Sequence, residues 1–247
     1  MMDFRKFGAF RGAFLTVQRL AKKLGFELRY TRVTGIPDAE LYSPFFSPWR
    51  STTWEQRLRT KDSRSLVPPE AKYTLHVLAE DAIRRCEGQL AECGVYKGGT
   101  AYLLADLARS AGRRLSLFDT FSGMPETDSN KDLHREGDFA DVTLQDVRTY
   151  LAGFDNIDFY PGFVPDTLEP VSGHKFCFVH IDLDIYAAIL SATSFFYDRI
   201  PSGGVLLYDD YGYASCPGAR AAVDEFFNEK PEVPMTLSTG QCVVRKI

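Results

Sequence analysis

No stretch of the sequence holds 18 consecutive apolar residues, so a helix that spans a membrane is not expected. The five cysteines, Cys86, Cys93, Cys177, Cys216 and Cys242, include no CxxC pair, and their odd number argues against a complete disulfide framework. A reducing, cytoplasmic setting fits best. There is no basic excess either. The net charge of -4 gives no reason to expect nucleic acid as a partner. Neither GxGxxG nor a glycine-rich loop closing on Lys and Ser or Thr occurs, which demotes dinucleotides and nucleoside triphosphates as ligands. HExxH and short Cys or His spacings are also missing, so the sequence offers no zinc signature.

What is present suits a soluble α/β domain. With 247 residues, 45% of them hydrophobic and 25% charged, the chain is long enough for one large domain with a substantial core. Its start, MMDFRKFGAFRGAFLTVQRLAKKLGF, mixes basic and apolar residues without the long apolar run or cleavage site of a signal peptide. It reads as an amphipathic helix that packs on the protein or on a second subunit in preference to a membrane. Residues 36–69 then carry Pro37, Pro44, Pro48, Pro68 and Pro69 among Tyr42, Phe45, Phe46, Trp49 and Trp54, the pattern of an irregular covering segment. Residues 1–63 are therefore taken as an N-terminal extension and 64–247 as the main domain.

From Pro69 onward helical and strand patterns alternate. The segments EAKYTLHVLAEDAIRRC, GTAYLLADLARSA, TLQDVRTYLAGF, AAILSATSFFYDRI and ARAAVDEFFNEK have helical spacing. Between them GQLAECGVY, RRLSLFDTF, IDFYPG, KFCFVHIDLD and GGVLLYDDYG read as strands, and MTLSTGQCVVRKI supplies one or two closing strands. Such alternation builds βαβ units and a mostly parallel sheet with helices on both faces. Ligands of these sheets bind at the carboxyl ends of the strands.

Three of those ends suit an adenosine-type cofactor. In AECGVYKGGTAYLLA the glycines let a ligand approach the main chain, and the helix start offers free N–H groups. Glu92 beside this turn would repel a pyrophosphate but attract an ammonium or sulfonium group, and S-adenosylmethionine carries both. Asp119 stands about 20 residues after the last of these glycines, where α/β nucleotide folds place a carboxylate on ribose hydroxyls. It could instead cap its own loop. Gly162 and Phe163 of FYPGFVPDTL could border the adenine.

Two further strand ends, HIDLDIY and YDDYG, concentrate Asp182, Asp184, Asp209 and Asp210. Two carboxylates about 4 Å apart repel by roughly 4 kcal/mol at an effective dielectric near 20, so such crowding calls for a cation or shared protons. Hard oxygen ligands favour Mg²⁺, with Mn²⁺ as the alternative, and Asp182, Asp209 and Asp210 are its expected ligands. A metal there would hold a hydroxyl and lower its pKa. Asp184 and His134 are the two candidate bases.

The ordered set ECGVYKGGT, LFDTFSGMPET, LHR around His134, PGFVPDTL, HIDLDIY and GGVLLYDDYG resembles the macrocin O-methyltransferase family over about residues 64 to 230. The resemblance implies a Rossmann-like methyltransferase fold with a mostly parallel seven-stranded sheet. It also implies S-adenosylmethionine and Mg²⁺ as cofactors, a sugar-containing small molecule or glycan as acceptor, and a homodimer. By position, Glu92, Gly94, Tyr96, Gly98 and Thr100 would hold the methionine part of the cofactor, and Asp119, Thr120 and Phe121 its ribose. Gly162 and Phe163 would border the adenine, and Leu66 lies in SRSLVPPEAKY, which resembles a segment that closes over the cofactor. His134 matches a histidine proposed as base, and Asp182, Asp209 and Asp210 match the family's metal-binding acidic positions, with Asp182 also at the cofactor. The loop from Glu126 to Asp138 is shorter than in antibiotic-pathway members, which keeps a polysaccharide or glycolipid sugar beside an antibiotic as the acceptor.

Two other readings compete. DLD resembles the DxD of metal-dependent glycosyltransferases, and a chain of this pattern could also bind an adenosine ligand without turnover.

Overall fold

The computed structural model describes residues 64–247 throughout and, before them, positions 16, 17, 20, 23, 48–51, 53 and 54. The chain divides into two compact units, Met1–Phe46 and Ser47–Ile247. In the first unit Thr16, Val17, Leu20 and Lys23 are helical. The rest of the expected amphipathic helix, with Tyr42, Phe45 and Phe46, lies outside the described residues.

In the second unit, helix α1 (Pro69–Arg85) precedes β1 (Gln89–Cys93), α2 (Gly99–Ser110), β2 (Leu115–Asp119), α3 (Leu144–Tyr150) and β3 (Ile157–Pro161). There follow β4 (Phe176–Ile181), α4 (Tyr186–Tyr197), β5 (Val205–Tyr208), α5 (Pro217–Phe227), β6 (Met235–Thr236) and β7 (Cys242–Arg245). The seven strands form one sheet in the order β3-β2-β1-β4-β5-β7-β6. All neighbours pair in parallel except β7, which is antiparallel to both β5 and β6. No helix among the described residues is long and apolar enough to cross a membrane.

Alternation along the strands divides the core. Ala91, Cys93, Val179, Ile181, Leu206 and Tyr208 face one side with α4 and α5, whereas Leu90, Leu115, Leu117, Phe178 and Leu207 face the other with α1 and α2. All six residues of β4 are buried, as a central parallel strand covered on both faces requires. Trp54 is buried against Leu103, with Trp49 and Tyr73 packed alongside.

At the amino edge of the sheet the Arg113 guanidinium donates to the carbonyls of Ile83, Cys86 and Gly88 at 2.8 to 3.0 Å, tying the end of α1 to the start of β1. The opposite edge is shaped by one close approach. The strand order reverses between β1 and β4, and there Gly94 lies against the backbone of Asp182 with φ +85°. A Cβ at Gly94 would collide with the Asp182 carbonyl oxygen.

This contact makes a stability prediction. Gly94→Ala must both enter a left-handed conformation and push β1 and β4 apart, and it should lower unfolding free energy by about 3 kcal/mol or more. Gly112→Ala has the same unfavourable sign of φ, +66°, but open space around it, and should cost only about 1 kcal/mol. Chemical denaturation of the two variants checks this, and equal losses would refute it.

Candidate functional site

The crevice at the switch point of an α/β sheet is where ligands bind, and here it opens into a cavity of about 340 Å³. Asp119, at the end of β2, fixes one wall. Its Oδ2 accepts from the backbone N–H groups of Val95 and Tyr96 at 2.6 and 2.9 Å, and its Oδ1 from that of Phe121 at 2.6 Å. The carboxylate thus clips the turn after β1 to the turn after β2. Above the start of α2, Ser65 and the backbone of Arg64 approach so closely that a Cβ on Gly99 would meet Ser65 Cβ at 2.5 Å. This places the segment from Arg64 to Val67 over the glycine turn and on the cavity wall.

Leu66, Gly94, Tyr96, Thr100, Asp119, Thr120, Gly162, Phe163 and Asp182 all line the cavity. Three expected cofactor contacts do not. Gly98 caps α2 and faces Val147 and Tyr150. Phe121 is buried in the core near Phe159, and only its N–H serves the turn by donating to Asp119. Glu92 is entirely buried and is aligned in register with His180 of β4. Its Oε1 lies 2.9 Å from His180 Nδ1, while Oε2 has no hydrogen-bond partner. Strand alternation turns this carboxylate away from the cavity and into the α1/α2 side of the core.

His180 continues the chain of contacts, with Nε2 3.5 Å from Asp209 Oδ1, an atom that also accepts from Gln241 Nε2 at 2.8 Å. Burial alone would lower the histidine's pKa, but the carboxylates of Asp209 and Glu92 outweigh it and push it up to about 9. His180 therefore sits behind Asp209, in contact on each side with an acidic residue that favours its protonated form.

In front of it, Asp182, Asp209 and Asp210 each offer a carboxylate oxygen, all within 4.8 Å of one another. Burial, and then the charges of Asp209 and Asp210, raise the Asp182 pKa well above the usual range. Burial and the charges of Asp184 and Asp209 do the same to Asp210. Three crowded carboxylates with this unrelieved repulsion suit a hard divalent cation.

Asp184 lies apart from that trio. Its backbone takes φ +60°, its N–H donates to Asp210 Oδ2 at 2.9 Å, and its side chain joins His134 and Cys216. The two aspartates of DLD therefore do not converge on one cation as a DxD pair would. Instead the two candidate bases meet: His134 Nε2 is 3.6 Å from Asp184 Oδ1. On its other side His134 Nδ1 contacts Asp138 Oδ2 at 3.2 Å. The loop carrying His134 is fastened by Asp132, whose Oδ1 accepts from the N–H of Tyr186 at the start of α4 at 2.9 Å.

Sequence reasoning missed His180, Gln241, Asp138, Asp132 and Cys216. Asp132 and Asp138 had a local signal, two and four residues from His134 on the same polar loop. His180 sits in the middle of an apolar strand pattern, and its partner is a residue 88 positions away.

The family model described as Macrocin-O-methyltransferase (TylF) matches residues 71–243. Demethyldecarbamoylnovobiocin O-methyltransferase of Streptomyces niveus is 25% identical over 198 residues, covering 72% of this chain and 75% of that protein. The 8-demethyl-8-(2,3-dimethoxy-alpha-L-rhamnosyl)-tetracenomycin-C 4'-O-methyltransferase of Streptomyces olivaceus is 28% identical over 169 residues, 63% of this chain and 62% of its own. Among solved structures, the O-methyltransferase NovP superposes with a TM-score of 0.66 at 24% identity, over 74% of this chain and 82% of that one, which shows the Rossmann-like methyltransferase fold. With the family model matched across the sheet and its helices, the chain belongs to the macrocin-O-methyltransferase family and is an O-methyltransferase enzyme.

Proposed function

We propose that this enzyme moves a methyl group from S-adenosylmethionine to a sugar hydroxyl of a glycoside, polysaccharide or antibiotic, with Mg²⁺, or Mn²⁺ in its place, at Asp182, Asp209 and Asp210. The observation that carries this reading is that one cavity is lined both by the glycine turn with its Asp119 clip and by the crowded carboxylates with His134.

The residues present fit both groups. A carboxylate offers about four lone-pair positions, and Asp119 uses two on Oδ2 and one on Oδ1, which leaves Oδ1 able to accept from a ribose hydroxyl. Gly94, Tyr96 and Thr100 would flank the methionine part, Thr120 the ribose, and Gly162 and Phe163 the adenine, with Leu66 in the segment that covers them. When bound, S-adenosylmethionine supplies an electrophilic methyl group, whose bonding pair stays with sulfur as the acceptor oxygen makes the new bond. The divalent cation supplies charge that fixes the acceptor hydroxyl and lowers its pKa.

His134 takes the hydroxyl proton on Nε2. Asp138 at Nδ1 orients the ring, and Asp184 beside Nε2 stabilises the imidazolium that forms. His180 and Gln241 act behind the site by holding Asp209 Oδ1 in place. The reading keeps the enzyme cytoplasmic and homodimeric: all five cysteines are free thiols, as in a reducing compartment, and the family resemblance carries the dimer.

Three measurements test this. Calorimetry should detect binding of S-adenosylmethionine and S-adenosylhomocysteine, and labelled cofactor should methylate hydroxylated glycosides or glycans; absence of binding at about millimolar concentration would end the reading. Asp209→Asn and Asp210→Asn should each lower metal-dependent turnover by about a hundredfold or more while the fold survives, and full activity in a chelator would remove the metal from the mechanism. His134→Ala should lower kcat by about 10²- to 10⁴-fold. Undiminished turnover would pass the proton to Asp184.

A further inference from the structure

We infer that His134, Asp184 and Cys216 form a second metal site, selective for a thiophilic divalent cation such as Zn²⁺, whose occupation blocks the enzyme. Only the inhibitory consequence rests on the proposed methyl transfer, because it follows from His134 being the base. The binding itself stands on geometry.

The donors already form the right triangle. His134 Nε2 and Cys216 Sγ are 3.6 Å apart, Nε2 and Asp184 Oδ1 3.6 Å, and Sγ and Oδ1 3.4 Å. A tetrahedral zinc with bonds of about 2.3 Å to sulfur and about 2.0 Å to nitrogen and oxygen separates its donors by about 3.3 to 3.6 Å. Zinc-bound histidines usually have their other ring nitrogen held by a carboxylate, and Asp138 occupies that position at 3.2 Å from Nδ1. All three donors line the cavity, so the fourth position would face it. Donor chemistry separates this set from its neighbour: the trio of Asp182, Asp209 and Asp210 offers only hard oxygens, whereas imidazole and thiolate favour zinc. Ligation by Cys216 releases its thiol proton to solvent. The sequence gives no zinc spacing because the ligands come from three separate loops, after β2, β4 and β5.

Cobalt(II) titration of the full chain in saturating Mg²⁺ tests the site. The expected result is a thiolate-to-cobalt charge-transfer band that saturates at a single equivalent and is abolished by Zn²⁺. Cys216→Ser should remove the band, Asp138→Asn should weaken zinc binding by about 10- to 100-fold, and Asp209→Asn should leave the band in place. No band in the unaltered chain, a band that survives Cys216→Ser, or one lost in Asp209→Asn would each overturn the assignment. If Cys216→Ser does not fold, His134→Gln serves instead, and undiminished zinc affinity in that variant refutes the site. With an active acceptor in hand, Zn²⁺ should inhibit in the presence of excess Mg²⁺ and Cys216→Ser should resist. Failure to find methyl transfer at all would overturn the inhibitory consequence alone, while the cobalt titration would still decide whether the site binds metal.

Discussion

Mutual repulsion among buried and half-buried carboxylates governs this end of the molecule. Asp182, Asp209 and Asp210 are held together at the ends of adjacent strands, and burial already disfavours the charged forms of Asp182 and Asp210. Backbone hydrogen bonds of the sheet impose the proximity: the N–H of Asp182 donates to Cys93 and that of Asp209 to Ile181. One side chain meets that charge. His180 approaches from within the sheet, bonded to Glu92 behind and Asp209 in front, while the cavity side is left for a ligand or ion.

Much of this was legible in the sequence because its signals are local. An apolar run ending in acid marks a parallel strand and its carboxyl end together, so β4, β5 and their aspartates could be placed from pattern alone. The glycine turn and Asp119 were equally visible, and their joining by two backbone donors gives that spacing its physical content. What local patterns do not carry is which face a strand residue takes at the end of β1, or which distant residue it meets. Glu92 sits one position from a glycine turn, close enough to suggest a ligand contact, yet strand alternation directs it inward to His180. Phe121 follows the cavity residue Thr120, and Gly98 lies two positions from Tyr96 and from Thr100, yet the first is buried in the core and the second caps a helix.

His134 and Asp184 illustrate a different limit. The sequence posed them as rival bases because they lie on separate loops. Folding places them 3.6 Å apart with Asp138 beyond, so the proposed proton transfer treats them as one unit and not as rivals. Cys216 enters the same unit from a third loop, which no spacing rule could anticipate. Family membership and the shared fold account for the frame.

The three carbonyl contacts of Arg113 bear on how such a molecule can change. They secure the edge of the sheet farthest from the cavity, where the chain turns from α1 into β1, using only main-chain oxygens that persist whatever side chains replace their neighbours. The anchoring of the frame and the shaping of the pocket are therefore assigned to opposite edges. Loops around the cavity can lengthen, shorten or exchange residues without drawing on the bonds that keep β1 in place, which is a structural route by which one scaffold can carry differently shaped pockets.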